Sequence, residues 1–263
     1  MLIVDAYTIT DVGLRRELNE DAVYLDPDRE LIMVLDGMGG HQAGEVASQI
    51  AMETMASFYT QHAHQPVRST EMFEAYDECF TYHTNLLRQA ALAANRAVLL
   101  KSLEKNERLG MGSTVAGIAI HGYTVSAINV GDSRLYLIRN GSIEQISRDH
   151  TLAEDQFERG ILTREELRDS QLKHILSSVL GVDEELRVHM EELFVLPGDI
   201  VLLCTDGLCG VLEDAEMLGI IQQSPVGPET LTRLIDEVNA RGGPDNATAA
   251  LAVFSRDSQR DEE

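Results

Sequence analysis

The sequence predicts an α+β fold in which helices cover the outer faces of packed, largely antiparallel sheets. Short apolar runs of strand length recur along the chain, and helical periodicities are grouped between them instead of alternating with single strands. A third observation is the pair Asn140-Gly141 after LYLIR, which favours the left-handed backbone angles of a two-residue hairpin turn. Hairpins of this kind join antiparallel strands.

Six apolar runs predict strands, and most of them are bounded by Gly, Asp or Asn. They are Leu31 to Leu35, Thr114 to Ile120, Thr124 to Val130, Leu135 to Ile138, Ile200 to Cys204 and Ala247 to Phe254.

Apolar residues at steps of three and four predict the helices. The segment from Val46 to Phe58 has one clear apolar face, and a second helical region is expected from Glu71 to Lys105. Unbroken, that second region would be roughly 50 Å long, so we expect a bend or a gap inside it. Shorter helices are expected near Thr163 to Asp169, Glu213 to Gln222 and Glu229 to Arg241.

The composition excludes several classes of partner. The chain has 21 basic and 44 acidic residues, a formal net charge of −23, and no cluster of Lys and Arg that could follow a phosphate backbone, so nucleic acid is not expected. The N-terminus lacks the pattern of a signal peptide, and no window approaches the roughly 18 apolar residues of a membrane span. We therefore expect a cytoplasmic protein that works away from membranes.

The three cysteines, Cys79, Cys204 and Cys209, form no CxxC pair and have no nearby His at zinc-finger spacing. They are predicted to be buried or idle thiols. Cys204, inside the run IVLLC, is predicted to be a small core residue.

Four aspartates stand at the ends of apolar runs. Asp36 follows LIMVL, Asp132 follows SAINVG, Asp206 follows VLLCT, and Asp245 precedes NATAALAV. If the strands are antiparallel neighbours, these four carboxylates converge. Such a cluster is tolerable only if the acids are protonated or if cations lie among them, and Mg²⁺ and Mn²⁺ prefer oxygen ligands.

The glycines that follow Asp36 support a metal site. Gly37, Gly39 and Gly40 let the backbone turn so that a carbonyl approaches an ion, and they leave the site open to water and substrate. A single Asp-Gly pair is more typical of an ordinary tight turn. The three further aspartates in the same setting favour the metal site.

The segment RRELNEDA places Arg16, Glu20 and Asp21 within six residues. Alone, such a segment is typical of a solvated charged loop. Beside a metal cluster it offers two more oxygen ligands and a guanidinium whose planar fork suits a phosphate.

Seven motifs follow one another along the chain: RxxNEDA (16–22), VLDGMGGHxxGExAS (34–48), GSTxxG (112–117), NVGDSRxYLxRxG (129–141), DHT (149–151), CTDGL (204–208) and GGPDNAT (242–248). Their order resembles the bacterial branch of the type 2C metal-dependent Ser/Thr protein phosphatases. The resemblance implies an antiparallel β-sandwich flanked on both sides by helices, in α-β-β-α layers. It also implies one phosphatase domain over 1–255, with a flap at about 151–181, and a charged tail over 256–263.

The resemblance further implies a centre of two Mn²⁺ or Mg²⁺ ions and a third, looser ion. Asp36 would bridge the two ions, and Asp132 with Asp206 would hold the third. The implied ligands together are Glu20, Asp21, Asp36, Gly37, Asp132, Asp206 and Asp245.

The implied reaction is hydrolysis of phosphoserine and phosphothreonine in proteins by a metal-activated water, with Arg16 binding the phosphoryl group. The leaving oxygen needs a proton, either from water at the metal centre or from His41, whose other interpretation is a hydrogen bond that orders its loop. In the flap, Lys173 and His174 are candidates for contact with anionic substrates. The expected substrates are proteins phosphorylated by a bacterial eukaryotic-like Ser/Thr kinase.

Two other interpretations differ in class. Haloacid dehalogenase-like phosphatases also pair Asp with Mg²⁺, but they place a second Asp two residues after the first, and neither LDGMGG nor CTDGL does so. A catalytically inactive relative acting as a binding module would be expected to lack ligands, whereas here the set is complete. Mn²⁺-dependent hydrolysis of p-nitrophenyl phosphate, abolished by EDTA, separates the enzyme from the binding module.

Overall fold

The computed structural model describes residues 2–28, 30–39, 43–64, 74, 76–104, 108–223 and 225–256. The strands in this part are β1 Leu2–Asp11, β2 Asp21–Leu25, β3 Leu31–Met38, β4 Gly112–Ser113, β5 Val115–His121, β6 Thr124–Val130, β7 Arg134–Arg139, β8 Ser142–Gln145, β9 His189–Phe194, β10 Ile200–Cys204 and β11 Ala247–Arg256. The helices are α1 Ala43–Ala63, α2 Tyr82–Leu103, α3 Leu152–Glu158, α4 Arg164–Asp169, α5 Asp206–Cys209, α6 Asp214–Gln222 and α7 Pro228–Ala240, with a 3-10 turn at Gln171–His174.

The strands form two antiparallel sheets. The first sheet has the order β1-β11-β10-β7-β8, and the second has the order β2-β3-β5-β6-β9, with β4 pairing β3. All six predicted apolar runs occur as strands, and Thr124–Val130 and Ile200–Cys204 have the predicted bounds. The predicted hairpin is also present, since Asn140 has φ 51° and Gly141 has φ 79° between paired Arg139 and Ser142.

Three apolar layers result from the alternation of side chains along each strand. On β3, Ile32 and Val34 pack in the core between the two sheets, whereas Leu31, Met33 and Leu35 pack against α1 and α2. On the opposite side, the first sheet packs against α6 and α7 through a third core. The fold class predicted from the sequence, an antiparallel sandwich in α-β-β-α layers, is confirmed.

The predicted long helix from Glu71 is wrong in its first part. Helix α2 begins at Tyr82, and Tyr76 to Thr81 form turns. The side chain of Asn85 stabilises this reversal, because its Oδ1 accepts the Asp77 N–H at 2.8 Å and its Nδ2 donates to the Asp77 carbonyl at 2.9 Å. Residues 71–73 and 105, the remaining ends of the prediction, lie outside the described residues.

No helix among the described residues combines the length and apolar character needed to cross a membrane.

Candidate metal centre

The predicted acidic cluster is built from both sheets at one end of the sandwich. Asp21 on β2 lies directly opposite Asp36 on β3 in the strand register. From the first sheet, Asp206 begins α5 directly after β10, and Asp245 precedes β11. The Thr205 hydroxyl donates to Asp21 Oδ2 at 2.9 Å, which joins the two groups.

The condition under which the four carboxylates were expected to converge, neighbouring antiparallel strands, is met only in part. Strands β10 and β11 are adjacent, but β5 separates β3 from β6, which leads to Asp132. The carboxylates nevertheless approach one another, since Asp36 and Asp206 share a hydrogen bond between their side chains. Strand pairing within each sheet and face-to-face packing of the two sheets therefore assemble the cluster together.

The electrostatics of the cluster are those of carboxylates without a counter-ion. Burial, followed by the charge of Asp206, raises the pKa of Asp132 to about 7. Burial also raises the pKa of Asp21 to about 7, with the charges of Asp206 and Asp245 adding to it and the Thr248 and Thr205 hydroxyls opposing it. Burial and mutual repulsion together thus favour the protonated acids.

Asp36 and Asp206 behave as a pair. Burial and then the Asp21 and Asp206 charges raise the pKa of Asp36 well above its ordinary value. Burial also raises the pKa of Asp206, but the hydrogen bond from Asp36 opposes the shift. Burial and the neighbouring charges thus favour a protonated carboxyl group in this pair when no cation offsets the repulsion.

The acidic residues of the cluster suit a hard divalent cation, because they offer oxygen donors and some of these oxygens are buried without a hydrogen-bond partner among the described residues. Asp21 Oδ1 and Asp206 Oδ1 are buried and have no hydrogen-bond partner in the described part of the protein. Among those same residues, no three His, Cys, Asp or Glu side chains are already grouped closely enough to hold an ion. Because bare carboxylates repel, we expect the ligand set to draw together when a cation neutralises it.

The backbone of Asp36 is held by a buried threonine. The Asp36 N–H donates to Thr114 Oγ1 at 3.0 Å, and the Asp36 carbonyl accepts the Thr114 N–H at 2.8 Å. Thr114 Oγ1 is also 2.7 Å from Ser133 Oγ, next to Asp132. Thr114 and Ser133 lie inside the motifs GSTxxG and GDSR, yet sequence reasoning assigned them no role.

Gly37 does not form a turn. It continues β3 opposite Ser113, and a Cβ there would lie 2.1 Å from the Gly44 carbonyl oxygen and 2.5 Å from that of Glu20. A Cβ on Gly44 would in turn lie 2.5 Å from Glu20 Oε1. Gly37 and Gly44 therefore let β3, the start of α1 and the Glu20 segment approach closely, while Gly39, with φ 152°, adopts a backbone that favours glycine.

The N-terminal segment is fastened to the loop before β11. The Glu20 N–H donates to Asn246 Oδ1 at 2.8 Å, and Asn246 Nδ2 donates to the Leu18 carbonyl at 2.9 Å. Arg16 is 48% exposed, and its Nη2 lies 2.7 Å from Asp245 Oδ2. This hydrogen bond to Asp245 raises the pKa of Arg16. Gly44 and Asn246 belong to the site's framework and were not singled out from the sequence.

The predicted flap borders the cluster. A cavity of about 1030 Å³ lies between α3, α4 and the loop after α5, and its lining includes Asp132, Asp206, Lys173 and His174. The two flap residues are therefore brought to the site, and the charge of His174 lowers the pKa of Asp206 against the larger effect of burial.

Two further predicted residues, Gly40 and His41, lie outside the described residues.

The flap is anchored to the loop that carries Asp132. The His150 N–H donates to the Gly131 carbonyl at 2.8 Å, and the Gly131 N–H donates to His150 Nδ1 at 3.2 Å. Burial lowers the pKa of His150 to about 4, so the ring stays neutral and can accept this bond. The same end of the flap is bound to the segment that follows the flap, since Arg187 Nη1 lies 2.7 Å from Asp155 Oδ1 on α3.

Comparison with known proteins identifies the family to which this chain belongs. The family model for protein phosphatase 2C matches residues 15–254. The chain belongs to the protein phosphatase 2C family, whose members are metal-dependent protein serine/threonine phosphatases. The haloacid dehalogenase alternative is thereby excluded.

Relatives and solved structures agree. The serine/threonine phosphatase Stp of Listeria innocua is 32% identical over 248 residues, which cover 92% of each chain. The serine/threonine protein phosphatase PstP of Mycobacterium tuberculosis is 34% identical over 92% of this chain and 43% of its own length. A structure of the PstP catalytic domain in complex with two manganese ions has a TM-score of 0.78 at 32% identity, covering 97% of this chain and 100% of that one. The S. agalactiae serine/threonine phosphatase has a TM-score of 0.82 at 26% identity, covering 95% and 99%.

Proposed function

We propose that this protein hydrolyses phosphoserine and phosphothreonine in proteins at a dinuclear Mn²⁺ or Mg²⁺ centre. The observation that carries the proposal is the convergence of Asp21, Asp36 and Asp206 from two sheets, with buried oxygens left free. With Asp245 these carboxylates sum to −4, which offsets two divalent ions. Asp36 and the Gly37 carbonyl would be among the groups that hold these ions.

Glu20 and Asp132 occupy the periphery of the proposed centre. Glu20 lies beside the backbone of Gly44, which donates to its carboxylate, and burial raises its pKa. Asp132 lies close enough to Asp206 for their charges to interact, so this pair is assigned to the third, looser ion. Bound ions would supply Lewis acidity that activates an attacking water and offsets charge on the phosphoryl oxygens.

Arg16 is the proposed phosphoryl-binding residue. It is exposed and pairs with Asp245, and an exposed ion pair of this type contributes little stability. When a cation takes over the charge of Asp245, the guanidinium is free to donate to the phosphoryl oxygens. Its two parallel N–H groups then orient the phosphorus for in-line attack.

Peptide substrates enter through the cavity that the flap borders. The flap at about 151–181 shapes this entrance, and Lys173 and His174 line it together with Asp132 and Asp206. The cellular substrates in this proposal are cytoplasmic proteins phosphorylated by a bacterial eukaryotic-like kinase, acted on by one domain over 1–255. The bacterial relatives named as serine/threonine phosphatases support the phosphoserine and phosphothreonine part of this assignment.

The test uses two readouts on purified protein. Hydrolysis of p-nitrophenyl phosphate and of a phosphothreonine peptide is measured with Mn²⁺, with Mg²⁺ and with EDTA, and Mn²⁺ binding is measured by calorimetry. Asp36→Asn should abolish turnover and weaken Mn²⁺ binding, whereas Asp28→Asn, at an exposed turn, should change neither. Turnover that survives EDTA, or Asp36→Asn protein that binds Mn²⁺ normally, would refute the metal centre.

A second variant tests the flap. Replacing residues 163–174 by a short linker should impair hydrolysis of the phosphopeptide while p-nitrophenyl phosphate is still hydrolysed, because only the peptide is long enough to use the entrance. Unchanged peptide kinetics in this variant would argue against the flap's role.

A further inference from the structure

The two carboxylate oxygens of Asp21 have different surroundings. Oδ2 accepts a hydrogen bond from the Thr205 hydroxyl at 2.9 Å, whereas Oδ1 is buried and has no hydrogen-bond partner in the part of the chain that the structure describes. A buried carboxylate oxygen without a donor is costly unless a ligand uses it. The side chain is therefore fastened at one oxygen and left available to a cation at the other.

Asn19 holds the backbone of the same aspartate. The Asp21 N–H donates to Asn19 Oδ1 at 3.2 Å, and Asn19 Nδ2 donates to Thr10 Oγ1 at 2.9 Å. Because a backbone N–H can only donate, the first bond fixes which end of the Asn19 amide is the oxygen. Thr10 therefore accepts from Asn19, which leaves its own hydroxyl hydrogen for a different acceptor.

Thr248 supplies that acceptor. It lies directly opposite Thr10 where β1 pairs with β11, and the two hydroxyl oxygens are 2.7 Å apart. Thr248 also supports Thr205, since the Thr248 N–H donates to Thr205 Oγ1 at 3.0 Å. Thr205 in turn donates to Asp21, so these contacts close a ring that begins and ends at Asp21.

The ring joins the two sheets at the acidic end of the sandwich. Asp21 begins β2 of the second sheet, whereas Thr10 and Thr248 lie on β1 and β11 of the first. The ring also runs from the surface to the core, because Thr10 is exposed and Thr248 is fully buried. A substitution at Thr10 therefore changes the ring from outside and leaves the core intact.

We propose that the paired hydroxyls of Thr10 and Thr248 are positioning groups of the metal centre, which through this ring present Asp21 Oδ1 to a divalent cation. Each donor in the ring points to the next acceptor in one direction, an arrangement in which hydrogen bonds polarise and strengthen one another. Thr10 contacts neither the ion nor the substrate in this arrangement and acts through its two partners. The inference rests on the proposed role of Asp21 as a metal ligand.

The motifs that contain these residues gain a second role from the ring. Asn19 lies in RxxNEDA and Thr248 lies in GGPDNAT, and neither supplies a ligand to the proposed centre. Outer partners of this kind orient the groups that bind a metal and set its affinity.

The experiment uses the whole chain and three substitutions on the exposed face of β1. Thr10→Val removes the hydroxyl and keeps the branched shape of the side chain, whereas Thr10→Ser keeps the hydroxyl. Thr8→Val is the matched control, because Thr8 lies two residues earlier on the same face and opposite Ala250, which has no hydroxyl. For each protein, Mn²⁺ affinity is measured by calorimetry and urea unfolding is measured in EDTA. Turnover of p-nitrophenyl phosphate is measured from limiting to saturating Mn²⁺.

Thr10→Val should bind Mn²⁺ about tenfold more weakly than the wild type, as is typical when a partner behind a metal ligand is lost. Its turnover should fall at limiting Mn²⁺ and recover at saturating Mn²⁺, because the substrate-binding groups are unchanged. Thr10→Ser and Thr8→Val should bind Mn²⁺ as the wild type does. The urea midpoint in EDTA should be the same for Thr10→Val and Thr8→Val.

Normal Mn²⁺ affinity in Thr10→Val would overturn the inference, and so would an equally weak affinity in Thr10→Ser, since the hydroxyl would then be irrelevant. A loss of Mn²⁺ affinity accompanied by a lower urea midpoint in EDTA would also overturn it, because the pair would then only stabilise the contact between β1 and β11. A wild type that binds no Mn²⁺ and shows no metal-dependent turnover would instead refute the proposed function.

Discussion

The metal-free protein should lose stability as the pH rises, because its buried aspartates must ionise. Asp21 has a pKa of about 7 in the fold, raised by burial, against 3.8 for an ordinary aspartate. A raised carboxyl pKa contributes stability that is fully present below the unfolded value and is lost as the pH rises through the folded value. Each pH unit corresponds to about 1.4 kcal/mol while the folded carboxyl stays protonated, and half of this group is ionised at pH 7, so Asp21 should contribute a loss of about 2 kcal/mol between pH 5 and pH 7.

His150 acts in the opposite direction and determines how the experiment is designed. Burial lowers its pKa from 6.5 to about 4, so stability from His150 is lost as the pH falls through that window. The measured quantity should therefore be the difference between the wild type and Asp21→Asn. Urea unfolding of both proteins in EDTA at several pH values yields this difference, in which the His150 contribution cancels.

The expected result is a wild type that loses stability relative to Asp21→Asn by about 2 kcal/mol between pH 5 and pH 7. Saturating Mn²⁺ should reverse the trend for the wild type, because the ion replaces protons on the carboxylates and binds more tightly as the pH rises. A difference that is independent of pH in EDTA would show that Asp21 is already ionised without metal and would refute the electrostatic reasoning.

Three further substitutions test individual parts of the site. Gly44→Ala should destabilise the protein by about 1–3 kcal/mol in urea unfolding, because its Cβ would overlap backbone and side-chain atoms, whereas Gly219→Ala, with open space around it, should not. Arg16→Ala should lower kcat/KM for a phosphopeptide about a hundredfold without weakening Mn²⁺ binding. Arg15→Ala is the control and should have little effect on either quantity. Weaker Mn²⁺ binding in Arg16→Ala would contradict the assigned role. Thr114→Val leaves a buried N–H unpaired and should cost about 1–3 kcal/mol in thermal or urea unfolding, and a neutral result would show that the hydrogen bond is dispensable.

The core strands could be predicted because burial on both faces makes them nearly continuous apolar runs, as IVLLC in β10 illustrates. β1 and β9 were not predicted, since LIVDAYTITD and HMEELF place polar and charged side chains on partly exposed edge strands. The start of α2 was predicted too early because apolar spacing alone does not reveal the side-chain contacts of Asn85. Patterns of burial were therefore predictable, and the local hydrogen bonds that end an element were not.

The acids of the site could be predicted by position, but their supports could not. Asp36 and Asp206 each follow a recognisable apolar run. By contrast, Arg16 meets Asp245 across 229 residues of sequence, and Asn246 bonds the Glu20 backbone across 226. Single polar residues in such places have no periodicity to mark them, so only the folded chain identifies their partners.

The side chains that hold the acidic cluster in place are mainly hydroxyl and amide groups, and the repulsion among the carboxylates explains this choice. Carboxylates that lie together without cations repel one another. The backbone hydrogen bonds between strands do not stop their side chains from rotating away from one another. Thr205 and Thr114 bind Asp21 and the Asp36 backbone from opposite sheets, and Asn246 binds the Glu20 segment. These groups are neutral, so they hold the acids in position without offsetting their negative charge. That charge remains available to bind cations.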